Sequence, residues 1–383
     1  MKILLLSAYD ADSHQYWRKG LVENFPEHDW QVLTLPARYF SWRIRGNSMS
    51  WAFGEQSHIL RQQYDLLIAT SMTDLSSLRG FVPSLANTPS IVYFHENQFD
   101  YPTTGNARAN VEPQILNLYN ALSADKVVFN SQYNYQTLIT GASRLLRKLP
   151  DQVPANVVDL IKAKSAIIAV PLKAVSIDSE SHQQAMQSVS WHQYAAVKPA
   201  DKPILISWAA RWEYDKGPDR LLAIIRCLET QKINYRLAIL GQSFRQVPEA
   251  FEQIREQFSH RIDQFGYAQS QAEYFAWLRH SDIFLSTAEH EFQGLAVLEA
   301  VNLGCIPVLP NRLVYPELFA EKFLYESNSD QSHEAQAATS LILNIKENIT
   351  EGVDYSKILP KKGDYSWSGL KSAYQELLES KNC

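Results

Sequence analysis

The 383 residues are 45% apolar and 20% charged, an ordinary globular balance that suits two domains with a core each. A net charge of −5 excludes a protein that coats nucleic acid by bulk electrostatics, while leaving room for a confined basic patch. Three scattered cysteines, Cys227, Cys305 and Cys383, show no metal spacing and no disulfide framework, which fits a reducing cytoplasm, and no run is long enough to span a membrane.

The opening "MKILLLSAYD" reaches Asp10 and Asp12 too soon for a signal peptide and reads as a buried strand. Short apolar runs then recur at 30–36, 65–71, 90–96, 126–131 and 166–172. Like the first, at 2–8, they are leucine-rich or β-branched rather than alternating, so they predict strands covered on both faces of a parallel sheet. Helical patterns lie between them at 14–25, 74–85, 111–123 and 131–140. From 176 to 202 the chain turns polar and weakly periodic and reads as an interdomain linker. The pattern restarts with strands at 203–210, 235–241, 262–267, 282–288 and 306–310. Helices are expected at 218–230, which opens on Pro218, and at 248–260, 270–280 and 294–304. A last helix is expected over 366–383, capped by Ser366 or Ser368 and packing back toward the first domain. Such regular strand–helix alternation means βαβ units. The expected fold is α/β: two facing, Rossmann-like, doubly wound domains, 1–175 and 203–365, with a cleft between them. Ligands in such sheets bind at the carboxyl ends of the strands.

"STAEHEFQGLAVLEAV" puts Glu291 just beyond the strand at 282–288 and Glu299 inside an otherwise apolar helix. A carboxylate there needs a partner: a neighbouring base, solvent, or ligand hydroxyls such as a ribose diol. Phe292 and Gly294 lead into that helix, where backbone N–H groups around Gly294 would seat a phosphate. "ARWEYDKGPDR" places Arg211 and Lys216 on a loop at the same sheet edge. They suit a diphosphate, Arg as a planar fork and Lys as a point charge; pairing with Glu213 and Asp215 on a surface loop is the alternative. His95 ends the strand at 90–96 and would face the cleft from the first domain. Asp10 and Asp12 suggest a metal, but no partner cluster of acids or histidines accompanies them and none is expected. "PARYFSWRIR" interleaves Arg38, Arg43 and Arg45 with Tyr39, Phe40 and Trp42. That mixture suits the phosphates and splayed bases of an RNA loop, or else forms the solvated basic face of an amphipathic segment. "SRLLRK" at 143–148 adds charge.

The Arg211/Lys216 pair and the Glu291/Glu299 pair resemble the signature of the retaining glycosyltransferases of family 4, which have the GT-B fold. More narrowly, "LPARYFSWR", "YFHENQ" with "YP" at 101–102, "KVVFNSQYN", "RWEYDKGP", "AEHEFQGLAVLEAV" and "VYPELF" resemble the tRNA-queuosine α-mannosyltransferases, over most of the chain apart from the linker. The resemblance implies transfer of mannose, with retention, from GDP-mannose to a hydroxyl of the queuosine cyclopentenediol in a tRNA anticodon, that of the aspartate tRNA. It implies neither a metal nor another cofactor. Arg211 and Lys216 would hold the donor diphosphate, Glu291 and His95 would touch the sugar, and Glu299 would bind the ribose. The first strand–helix loop, "SAYDADSHQ", lacks the glycines usual in family 4, which leaves Ser13 and His14 as its donor-contacting candidates. Two other functions compete. A family 4 enzyme acting on a lipid or glycan would call for an amphipathic basic helix for membrane docking, and no convincing one is present. A non-catalytic nucleotide-sugar or RNA-binding module would have little need of all four charged residues.

Overall fold

Six apolar runs of the first half form strands: β1 (Lys2–Ser7), β2 (Asp29–Thr34), β3 (Leu66–Thr70), β4 (Ser90–Phe94), β5 (Lys126–Phe129) and β6 (Ser165–Ile167). They pair in parallel in the order β2-β1-β3-β4-β5-β6. Ile3, Leu4, Leu5 and Leu6 are fully buried, which explains the unbroken apolar run: both faces of the strand are covered. The second half repeats the plan with β7 (Ile204–Ala209), β8 (Tyr235–Leu240), β9 (Ile262–Gly266), β10 (Ile283–Leu285), β11 (Ile306–Pro310) and β12 (Leu324–Tyr325). This sheet is also parallel, in the order β12-β11-β10-β7-β8-β9. Its strand order reverses between β7 and β10, and that switch point is where a doubly wound sheet opens a crevice.

The chain divides into two units, Met1–Lys173 with Tyr365–Cys383, and Ala174–Asp364. The computed structural model describes residues 1–100, 111–174, 180–198, 200–243, 246–359 and 365–379. Tyr101 and Pro102 of the family-like stretch lie outside them, as do 176–179 and 199 of the expected linker and the last four residues of the expected closing helix.

Local chemistry sets the helices. Ser131 caps the helix Gln132–Leu146 by accepting from the Asn134 N–H, Asp74 caps Leu75–Phe81, and Ser270 caps Gln271–His280. Pro218 opens Pro218–Thr230. The strand expected over 166–172 stops at Ile167; Leu172 instead bridges Ser366. That bridge leads into the closing helix Trp367–Glu379, where Ser366 Oγ accepts from the Gly369 N–H at 3.0 Å. Tyr374 on this helix accepts from Trp17 Nε1 at 2.9 Å and donates to the Ala169 carbonyl at 3.0 Å. The closing helix therefore completes the first unit.

The segment read as a linker is a structural part of the second unit. It holds the helix Glu180–Ser188 and a short 3-10 helix, Ser190–Ala196. Trp191 is fully buried, donates to Asp263 Oδ2 at 2.7 Å and meets Trp277 edge-on at 5.1 Å. One buried tryptophan anchors a stretch whose other residues are mostly polar, which is why composition reads as linker.

Candidate active site

In the second unit, the loops after β7 and β10 are stitched together at the switch point. Lys216 ends a short turn and Gly217 follows at φ 65°. A Cβ at 217 would collide with the Thr287 carbonyl, so glycine lets the two loops touch. Thr287 Oγ1 accepts from Trp208 Nε1 at 2.9 Å and donates to the Lys216 carbonyl at 2.8 Å. The Asp215 carbonyl accepts the N–H groups of Glu289 and His290. Behind this seam, buried Glu334 binds both Arg312 and Arg220, each at 2.8 Å, and Arg312 also donates to the carbonyls of Ala288 and Thr287.

Lys216 is the centre of the cluster. Its side chain is 13% exposed, and Nζ lies 2.9 Å from the His290 carbonyl and 3.3 Å from carboxylate oxygens of both Glu291 and Asp215. Burial opposes its charge, but Glu291 and Asp215 outweigh burial and the nearby Arg211, so its pKa lies above the ordinary ammonium value. Glu291 is the mirror case. Burial pushes its carboxyl up, yet Lys216 and the backbone N–H groups of Gly294 and Gln293 hold it below the usual carboxylate range. Arg211, 45% exposed, reaches Glu213 at 2.8 Å and Asp215 at 3.9 Å. The cations are thus paired with neighbouring acids, as the alternative reading expects, on the loop that follows β7. A pocket beside them is lined by Trp208, Lys216, Ser286, Glu291, Gly294 and Tyr315.

Around Gly294, two of the N–H groups ahead of the helix already meet a carboxylate. Gly294 is left-handed at φ 72° and starts the helix Leu295–Asn302. Glu291 Oε1 accepts from the N–H groups of Phe292 at 3.2 Å and Gln293 at 3.5 Å, because the positive end of a helix attracts the nearest anion. The Phe292 side chain is buried and packs edge-on against His290 at 4.8 Å. Glu299 is half-buried four residues into the helix; the Tyr274 hydroxyl donates to it at 3.3 Å. His290, Ser286 and Tyr315 also belong to this site and carry no role in the sequence reading, although "VYPELF" contains Tyr315.

In the first unit, His14 and His95 stack at 4.3 Å, the rings 24° apart. His14 stands in the first turn of the helix Asp12–Asn24, beside half-buried Ser13. Trp17 meets His95 edge-on at 5.0 Å, Tyr93 lies 4.7 Å away, and Asn130 donates to the His95 carbonyl at 2.8 Å. Burial, then His14, holds the His95 pKa well below the ordinary imidazole value. Asp10 is gripped by Arg18, with Nε 3.0 Å from Oδ1 and Nη2 2.7 Å from Oδ2. Among the described residues no group of three or more His, Cys, Asp or Glu side chains could hold a metal ion.

The basic–aromatic segment forms the helix Phe40–Phe53. Arg38 is exposed and lies over the Tyr39 ring, and Trp42 is 51% exposed. Arg45 is exposed and paired at 2.9 Å with both Asp74 and Glu112. Arg43 departs from expectation: it is 8% exposed, on the inward face with Asn47 and Trp51, so it cannot grip a phosphate at the surface. Arg144, Arg147 and Lys148 are exposed.

Residues 191–349 match the family of glycosyl transferases group 1. Three solved structures share the fold: a sucrose-phosphate synthase from Thermosynechococcus elongatus (TM-score 0.64, 15% identity, all of both chains), Anabaena HepE in complex with UDP (0.62, 14%, all of both chains), and the N-terminal domain of Candida albicans trehalose-6-phosphate phosphatase (0.65, 14%, 98% of this chain and 95% of that one). The chain is a glycosyltransferase of the GT-B fold. Residues 2–172 match the tRNA-queuosine alpha-mannosyltransferase N-terminal family. A tRNA-queuosine alpha-mannosyltransferase of Drosophila melanogaster is 31% identical over 328 residues, covering 85% of this chain and 84% of that protein. The chain belongs to the tRNA-queuosine alpha-mannosyltransferase family. No helix of the described residues is long and apolar enough to cross a membrane.

Proposed function

We propose that the protein transfers mannose from GDP-mannose, with retention, to a hydroxyl of the cyclopentenediol of queuosine in the anticodon of the aspartate tRNA, in the cytoplasm and without a metal. The observation that carries this reading is Lys216, buried between Glu291 and Asp215 at the switch point of the second sheet, in a chain of this family. Arg211 and Lys216 supply positive charge where the diphosphate leaves; pre-placed charge of this kind is worth about 10²–10³-fold in rate. Glu291 meets hydroxyls of the transferred sugar, and Glu299 with Tyr274 meets the ribose. His95 contacts the donor from the first unit, with Ser13 and His14 of the first turn of the helix Asp12–Asn24 as further donor contacts. The acceptor oxygen attacks the anomeric carbon on the face the phosphate leaves, and the departing phosphate oxygen takes the hydroxyl proton. No protein side chain then needs to act as a strong base, and positioning carries much of the catalysis. Arg38 and Trp42 contact the RNA by charge and stacking, with Arg45 at the margin.

The test is mass spectrometry of nucleosides from queuosine-containing tRNA incubated with the protein and a panel of sugar nucleotides. A hexose-sized mass gain on queuosine, with GDP-mannose alone, is the expected result. Gain with another donor corrects the sugar, and no gain with any donor removes the reading.

A further inference from the structure

The two stacked histidines of the first unit differ in what faces them. Both are buried, at 1% exposure for His14 and 5% for His95. Glu96 Oε2 lies 3.5 Å from His14 Nε2. His95 is faced by Tyr93 from its own strand, by His14 and Trp17 from the helix Asp12–Asn24, and by Asn130 from the end of β5; Tyr374 of the closing helix reaches it only through Tyr93 and Trp17. The same helix carries Asp12 in its first turn, and its Arg18 pairs with Asp10 of the preceding loop. Among the described residues, His95 Nε2 and both ring nitrogens of His14 are buried without a hydrogen-bond partner, each costing about 1–3 kcal/mol unless something arrives to meet it.

We propose that His14 is a positioning residue for His95: packed face to face with it, it fixes the imidazole plane and keeps positive charge off that ring, so that His95 Nε2 meets a sugar or diol hydroxyl as a neutral hydrogen-bonding group. The inference rests on the glycosyl-transfer reading above for the nature of the ligand. Two imidazoles in face contact resist carrying two protons. Burial lowers the His95 pKa most, and the neighbouring His14 lowers it further. A neutral ring both donates and accepts, which suits a hydroxyl; an imidazolium only donates.

The experiment uses the full chain labelled with ¹⁵N-histidine. Imidazole resonances are followed from about pH 5 to about pH 8, the range in which histidine ordinarily changes charge, with His95→Gln supplying the assignment. In the wild type, His95 stays neutral down to the acid end. In His14→Gln and His14→Asn its midpoint moves up by about one unit, a tenfold change in proton affinity. The acid limb of kcat/KM for transfer to queuosine-containing tRNA moves with it, so that activity falls about tenfold at low pH and much less at high pH. A His95 midpoint that does not move in either folded variant, or an equal loss of kcat/KM at every pH, overturns the proposal and leaves His14 a packing residue. A wild type that transfers no sugar removes the transferase reading, while the resonances still decide whether His14 controls the charge on His95.

Discussion

Lys216 lies 3.3 Å from two partly buried acids, Glu291 and Asp215, and offsets their charge, so its removal carries a structural cost as well as a catalytic one. Lys216→Met should lower kcat by about 10²–10³-fold and destabilise the fold by about 1–3 kcal/mol, read by steady-state kinetics and denaturant unfolding. Pairing it with Glu291→Gln should recover much of the stability and none of the rate; recovery of both would mean the lysine is only structural. The same pair sets a pH dependence. The Glu291 pKa is lowered on folding, so its contribution is present above its unfolded value near 4.5 and is lost as pH falls through the lower folded value. The Lys216 pKa is raised, so its contribution is present below 10.5 and is lost as pH rises through the higher folded value. The stability difference between wild type and Glu291→Gln should therefore be flat across neutral pH and shrink towards acid; a slope between about pH 6 and about pH 9 would contradict this. Arg211, Lys216 and Glu291 were legible because each follows a strand within one short loop. The Arg312–Glu334–Arg220 clamp was not, because its members come from three separate elements and nothing local marks them.

Strands were easier to read than helices, and the failures have a common cause. An unbroken run such as Ile3–Leu6 declares itself, whereas the helix Phe40–Phe53 turns the usual pattern inside out. Its inward residues include Arg43, Asn47 and Ser48, while Trp42, Met49 and Phe53 face solvent. Amphipathic periodicity therefore points the wrong way, and Arg43 was taken for a surface cation. Asn47 shows what the inversion achieves: it accepts from the Asp74 N–H and donates to the Met72 carbonyl, fixing the loop after β3. The helix Gln331–Thr350, also absent from the sequence reading, has a weak apolar stripe that covers only part of its length. Gly20 marks a different kind of element contact. It sits inside the helix Asp12–Asn24, where alanine would favour helix by about 1 kcal/mol. A Cβ there would strike the Trp367 ring. Gly20→Ala should thus lower the melting temperature despite its better helix propensity; a gain in stability would show that the closing helix yields easily.

A chain with a net charge of −5 must bind an anionic polymer through a small patch. Affinity for queuosine-containing tRNA should fall as salt rises, and Arg38→Ala should reduce the slope of log K against log salt by about one. Arg43→Ala should leave that slope unchanged and shift the melting temperature, since its side chain is buried. Equal slopes for wild type and Arg38→Ala would move the RNA surface elsewhere. The repeat of two parallel sheets was legible from alternation alone; the discontinuity of the first unit was only partly so, because nothing in "SWSGLKSAYQELLES" names Trp17 as its target. That discontinuity has a consequence for biosynthesis. Trp17 and Tyr374 are separated by 357 positions. At about 5–20 residues per second, the flank around Trp17 and Gly20 leaves the ribosome tens of seconds before the segment that will cover it. The half translated first is thus the half finished last, and in the interval its bare tryptophan surface is open to chaperones.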